Sequence, residues 1–283
     1  RLLVIDARLS INEGKISQAL DDVFCLYAMA EHMRQVPTLY TVLMSVVFQT
    51  RFVKTFVHVF PYLNRFNANF GAISFVGIEM DKYAYLNAVR MENAFILCAL
   101  SNMASSENSA AFWQSSSKPS AIERFLSKPM SMLYRIFLFS QNISYLRSFF
   151  YRVPAFFEKP YYKVREEAYA FREEFQSGNL GELLTGMSIT YSAVPSKLAK
   201  SEAYSYASAI ARAAFMYKKS IQKYPYELEL LVPSYMEKVP LDPFDGKPMK
   251  LKKLDNGIVI YSAGENEKDD GGGEDDITFK LLL

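Results

Sequence analysis

Four aspartates crowd a glycine-rich stretch near the C-terminal end. Asp269, Asp270, Asp275 and Asp276 surround Gly271-Gly272-Gly273 and Glu274. Carboxylates at this density suit a hard divalent cation. Calcium takes roughly six to eight oxygen ligands in flexible geometry, and the glycines permit backbone angles that could turn carbonyls inward as well. The competing reading is a solvated acidic turn, which is what a charged, glycine-rich loop ordinarily is.

Other patterns that carry chemistry are poor. Ser115-Ser116-Ser117-Lys118 has the Ser-x-x-Lys spacing of penicillin-binding enzymes, and Ser177-Gly178-Asn179 has their Ser-x-Asn. The first lies in a serine-rich stretch and no Lys-Thr/Ser-Gly triplet follows, so the match reads as chance. There is no His-Glu-x-x-His, no Gly-x-Ser-x-Gly and no phosphate-binding glycine loop. His32, beside Glu31 and Arg34, and His58, between two valines, read as structural histidines. Cys25 and Cys98 sit in apolar helical stretches and read as two buried free thiols. Asp242-Pro243-Phe244-Asp245-Gly246 reads as a structural turn: proline sets one backbone angle, Phe244 plugs a small core, and Asp242 bonds local amides.

The elements that must position these residues follow from periodicity. Ile16, Leu20, Val23, Tyr27 and Ala30 share a helical face, with Gly14 breaking the helix before it. Val36-Pro37-Thr38 precedes a second stripe from Leu39 to Phe60, which Pro61 should end. This pair is an αα-hairpin, loosely like a tetratricopeptide unit, but no second copy recurs at a fixed period. A third helix is expected over 77–103, then a serine-rich loop over 104–120 anchored by Phe112-Trp113. Helical pattern resumes over 121–153, with a break at Lys128-Pro129, and again over 161–176. Arg165, Arg172 and the glutamate pairs 166–167 and 173–174 suggest a solvated face with i,i+4 ion pairs. The aromatics at 149–151, 156–157 and 161–162 read as inter-helix packing, with an exposed peptide or lipid groove as the alternative.

The last long helix is expected over 200–224, on a stripe of Ala203, Ala207, Ile210, Ala214, Tyr217, Ile221 and Tyr224 that Pro225 stops. Beyond it, 250–253 and 258–262 are short β-like runs. Asn256-Gly257 between them is a hairpin signal.

Composition bounds the class. The 283 residues are half hydrophobic and carry a formal net charge of +2, so neither nucleic acid nor an acidic membrane surface is favoured as a partner. The most apolar stretch, 130–153, is interrupted by Arg135, Gln141, Asn142 and Arg147, which argues against a spanning helix. The chain opens in mid-helix pattern without Met. The expectation is an upstream segment, a signal peptide or membrane anchor being one candidate.

The C-terminal motifs, in order, are Tyr224-Pro225, the Asp242–Pro248 turn, the hairpin, Ser262-Ala263-Gly264 and the Gly/Asp loop ending at Asp276-Ile277. In that order and spacing they resemble the head of the type II secretion major pseudopilin. The preceding region is similar, more loosely, to uncharacterised envelope proteins of planctomycete-like bacteria, through a Gly-x-x-x-x-Ala-Leu motif and aspartate at Gly14–Asp21. The pseudopilin resemblance implies a calcium site in the loop, with Asn266 standing where the family carries an acidic residue. The implied ligand set is Asn266, Asp269, Asp270, Asp275 and Asp276. Two features depart from pseudopilins: no very hydrophobic assembly helix is present, and roughly two hundred residues precede the head-like part.

The expected architecture is therefore mainly α. A helical-hairpin body (1–195) precedes a small α+β module (196–283) with a short antiparallel β-hairpin. The expected role is that of a non-enzymatic structural or interaction protein of the bacterial cell envelope, on its periplasmic or outward-facing side. Its partners would be other envelope proteins or itself, and it would meet the membrane only through an upstream segment. Three alternatives stay open: a binding module for a peptide, lipid or glycan; a secretion or pilus-like assembly component; and a hydrolase without a recognisable motif.

Overall fold

Gly14 ends the first helix, α1 (Leu2–Asn12), by adopting φ 74°. Its N–H donates to the Ile11 carbonyl at 3.0 Å, and the Lys15 N–H donates to the Ser10 carbonyl at 2.7 Å. Together these bonds satisfy carbonyls that the helix end would leave orphaned. The second helix, α2 (Ile16–Arg34), buries Ile16, Ala19, Val23, Leu26 and Ala30; of the expected stripe, Ile16, Val23 and Ala30 are buried, and Leu20 and Tyr27 pack half-buried against the same core. The computed structural model describes residues 2–63, 82–104, 139–177, 194–273 and 276–282.

The next two helices are α3 (Leu39–Leu63) and α4 (Lys82–Ala104). Thr38 caps α3, its Oγ1 accepting the Thr41 N–H at 3.2 Å. A second orphan donor, the Leu39 N–H, reaches Glu92 Oε1 on α4 at 3.3 Å. The α3 helix runs two residues beyond Pro61 instead of stopping there. A proline's fixed φ is itself helical, and the hydrogen bond that it removes lies in the turn before it. Of the helix expected over 77–103, residues 82–103 are helical, and 77–81 lie outside the described residues.

Three further segments follow: α5 (Phe139–Arg152), the single turn α6 (Ala155–Glu158) and α7 (Tyr161–Ser177). Phe149, Phe150, Phe156 and Phe171 build a core with Leu39, Val42, Tyr85 and Val89. Phe171 receives Phe149 and Phe156 at ring-centroid distances of 5.2 and 5.1 Å. These aromatics are inter-helix packing. Of the expected set, Tyr151 is 86% exposed, and the Phe157 side chain lies outside those described.

The long helix α8 (Val194–Ile221) takes in residues 194–199, ahead of its expected start at Lys200. It ends three residues before Tyr224, where Gln222 takes φ 64° and its N–H bonds back to the Lys218 carbonyl at 2.7 Å. Ala203, Ala207, Ile210 and Ala214 are fully buried, as expected, whereas Ile221 is exposed.

After a 3-10 turn (Leu228–Leu231) comes a three-stranded antiparallel sheet in the order β1 (Lys250–Leu254), β2 (Gly257–Ser262), β3 (Ile277–Leu282). The expected hairpin turns at Asp255-Asn256, with Leu254 paired to Gly257. β3 adds a third strand to the expected hairpin. Leu251, Ile260 and Phe279 align across the strands, and so do Lys252, Val259 and Lys280. Directly paired residues share a face. One face therefore carries Ile258, Ile260, Ile277, Phe279 and Leu281 into the core, and the other carries Lys250, Lys252, Val259, Tyr261, Thr278 and Lys280.

The architecture is mainly α with this small antiparallel sheet. The inner face of the sheet packs on α8 and α3, so Phe52, Phe56, Ala207, Ile210, Ile260 and Phe279 belong to one buried cluster. The expected division at 195/196 falls inside α8, and this core runs across it.

Cys25 and Cys98 are exposed, which corrects the expectation of buried thiols. On α2 the core face is set by Val23 and Leu26, and Cys25 is turned away from it. His32 and His58 also lie at the surface. Among the described residues, no helix is long and apolar enough to cross a membrane. The Ser115–Lys118 pattern, the Phe112-Trp113 anchor, the Lys128-Pro129 break and the Gly178-Asn179 end of the Ser-x-Asn match lie outside the described residues.

Candidate functional site

Two carboxylates organise the sheet end, one in the turn before β1 and one just before β3. Asp242 is fully buried. Its Oδ1 accepts the Phe244 N–H at 3.0 Å and the Ser262 hydroxyl at 2.8 Å, while Oδ2 accepts the Ala263 N–H at 2.8 Å. The Ser262 oxygen in turn accepts the Gly264 N–H at 3.2 Å. Lys250 Nζ lies 3.6 Å from Asp242 Oδ2 and donates to Asp245 Oδ2 at 2.8 Å. Burial alone would lower the Lys250 pKa. The hydrogen bond to Asp245, with the charges of Asp245, Asp242 and Asp269, outweighs burial and raises it above the ordinary lysine value. Asp242 is thus a satisfied structural group, in the role expected of it. The Phe244 ring fills the core against Tyr161, 5.6 Å away in a T-shaped contact.

The acidic loop begins at Gly264 and ends at Asp276. Asp276 is only 7% exposed. Its Oδ2 accepts the N–H groups of Gly272 and Gly273 at 2.7 and 3.2 Å. Its Oδ1 is buried without a hydrogen-bond partner. An orphaned buried carboxylate oxygen is costly, and it is the kind of ligand a cation would satisfy.

The other expected ligands differ. Asn266, Asp269 and Asp270 are exposed. Asn266 Oδ1 accepts the Lys268 N–H at 3.1 Å and its Nδ2 donates to Asp270 Oδ2 at 3.3 Å. Asp269 Oδ1 accepts the Gly271 N–H at 3.0 Å, and its carboxylate also bonds the Tyr261 hydroxyl. That tyrosine is pushed up to about 12, first by burial, then by the bond and charge of Asp269 and the charge of Asp276. Asp275 lies outside the described residues. Among the described residues, no group of three or more His, Cys, Asp or Glu side chains is gathered that could hold a metal ion. Asp276 thus keeps one unengaged carboxylate oxygen, while Asn266, Asp269 and Asp270 are engaged within the loop.

The helical part reaches this end of the sheet through α7. Arg165 pairs with Glu267, a residue at φ 55°, and the Tyr162 ring packs on Gly246. Glu174 pairs with Arg152 on α5 at 2.9 Å. The i,i+4 pairs expected along α7 are thus replaced, for Arg165 and Glu174, by pairs to other elements, while Glu166, Glu167 and Glu173 face solvent as expected. Arg172 has no described side chain.

The cations beneath the loop were not singled out from sequence. Lys252 Nζ donates to the Gly271 carbonyl at 3.2 Å, and Lys250 lies close enough for Asp269 to act on it. The alternation of Lys250 and Lys252 in β1, read with the hairpin register, places both on the outer face and could have found them. No family model, curated protein or solved structure matches this chain.

Proposed function

We propose that this chain is a non-enzymatic structural or interaction protein of the bacterial cell envelope, with an acidic loop that takes up calcium. Its partners are other envelope proteins or further copies of itself. The observation that carries the calcium reading is Asp276: one oxygen pins two loop amides and the other is buried without a partner. Asp276 would be the anchoring ligand. Exposed Asn266, Asp269 and Asp270, with Asp275, would supply further oxygens on rotating toward the ion. The C-terminal motif order supports the envelope assignment, as does the way Asp242 ties the Asp-Pro-Phe turn to the Ser262-Ala263-Gly264 step.

The test is thermal unfolding in calcium and in excess chelator, for the wild type and for Asp276→Ala. An ion that binds only the native state raises stability by mass action, about 2.7 kcal/mol at a hundredfold excess over Kd. A calcium-dependent rise that the variant loses is the expected outcome. Superimposable melts in calcium and chelator would reduce the loop to a plain acidic turn.

A further inference from the structure

We infer that Lys252 is the acidic loop's internal counter-charge and that it competes with a divalent cation for the loop. The inference rests on the calcium reading and adds the residue that would set its affinity. Strand register carries the argument. Lys252 pairs with Val259, and Val259 pairs with Lys280, so the three form one row across the outer face of the sheet. The loop lies down on that row. A Cβ added to Gly272 would touch Val259 Cγ1 at 3.4 Å, and one added to Gly271 would come within 3.1 Å of Lys252 Nζ. The ammonium donates to the Gly271 carbonyl at 3.2 Å.

A backbone carbonyl of this kind is an oxygen that calcium uses. An ammonium has donors only, so it cannot share that oxygen's environment with a divalent cation without repulsion. The same turn holds the second, independent observation. Asp276 is 7% exposed, its Oδ2 takes the Gly272 and Gly273 amides, and its Oδ1 has no partner. The loop thus has an unused buried ligand on one residue and a protein cation on a neighbouring carbonyl. Calcium binding would displace or repel the Lys252 ammonium.

The experiment is calcium titration of the full chain by calorimetry, paired with melts in chelator. It compares the wild type, Lys252→Gln and Lys253→Gln. Lys253 is an exposed neighbour on the same strand whose alternation puts it on the opposite face, so it controls for net charge. The expected result is calcium affinity about threefold or more tighter in Lys252→Gln than in the other two proteins. A lower melting temperature of Lys252→Gln in chelator is expected alongside it. Equal affinities in all three proteins would overturn the role of Lys252 and leave the calcium reading standing, as would equal tightening in both variants. No calcium binding by any of them would overturn both.

Discussion

The Ser262 hydroxyl lies 2.8 Å from Asp242 Oδ1 across twenty residues of sequence, and both side chains are fully buried. The bond fastens the end of β2 to the turn that leads into β1, and the Ala263 amide on Oδ2 doubles it. Asp242→Ala would leave a buried hydroxyl and two amides without their acceptor, while Lys250 keeps Asp245. With each buried donor left unsatisfied costing about 1–3 kcal/mol, the expected loss is about 3–5 kcal/mol. Urea unfolding would measure it. A loss below about 1 kcal/mol would mean that water replaces the carboxylate at little cost.

Gly246 is where the helical part touches the turn. It sits at φ 70°, and a Cβ there would lie 2.7 Å from the Tyr162 ring. Gly246→Ala therefore meets both backbone strain and a collision, with an expected cost of about 1–3 kcal/mol. Removing the ring with Tyr162→Ala should relieve the collision and leave the strain. A double-mutant cycle on these two positions should thus be clearly non-additive.

The shared core gives a third expectation. Phe56 on α3 is buried in the same cluster as Ile258, Ile260 and Phe279. Phe56→Ala should cost about 3–5 kcal/mol. Amide exchange should rise in β2 and β3 as well as in α2 and α3. Exchange that rises in the helices alone would show that the sheet keeps its own stability.

Asp22 on α2 sets a pH dependence. One of its carboxylate oxygens is buried and unpartnered, and its pKa is raised, first by burial and then by the charges of Asp6 and Asp21. A carboxyl whose folded pKa exceeds its unfolded value contributes stability that is full below the unfolded pKa. That stability is lost as pH rises through the folded one. At neutral pH the ionised group is therefore a burden. Asp22→Asn should melt higher than wild type at pH 7, and the gap should shrink toward pH 3. A gap that stays constant with pH would assign the effect to something other than ionisation.

Much of the helical architecture was legible because its signals are local. Gly14 and Pro37 mark chain breaks, and the α2 and α8 stripes fall on the buried faces of their helices. Asn256-Gly257 located the hairpin. What escaped was non-local. Arg165 and Glu174 read as members of one solvated face of α7, yet they pair with Glu267 and Arg152, whose proximity only the packed fold creates. Cys25 was assigned to the core on the strength of apolar neighbours, although one position along a helix turns a side chain by about 100°. The lysines beneath the loop required the register of three strands.

The continuous core also bears on how such a chain can change over evolutionary time. A unit with a private interior can be copied, lost or joined to a new neighbour as a cassette. Here the sheet's inner face is completed by α3 residues that lie some two hundred positions upstream of β2. A graft of the C-terminal part alone onto another protein would uncover the part of the sheet's inner face on β3 that α3 covers, an invitation to aggregation. The N-terminal hairpin and the sheet should therefore be inherited together, and a functional chimera would have to carry both.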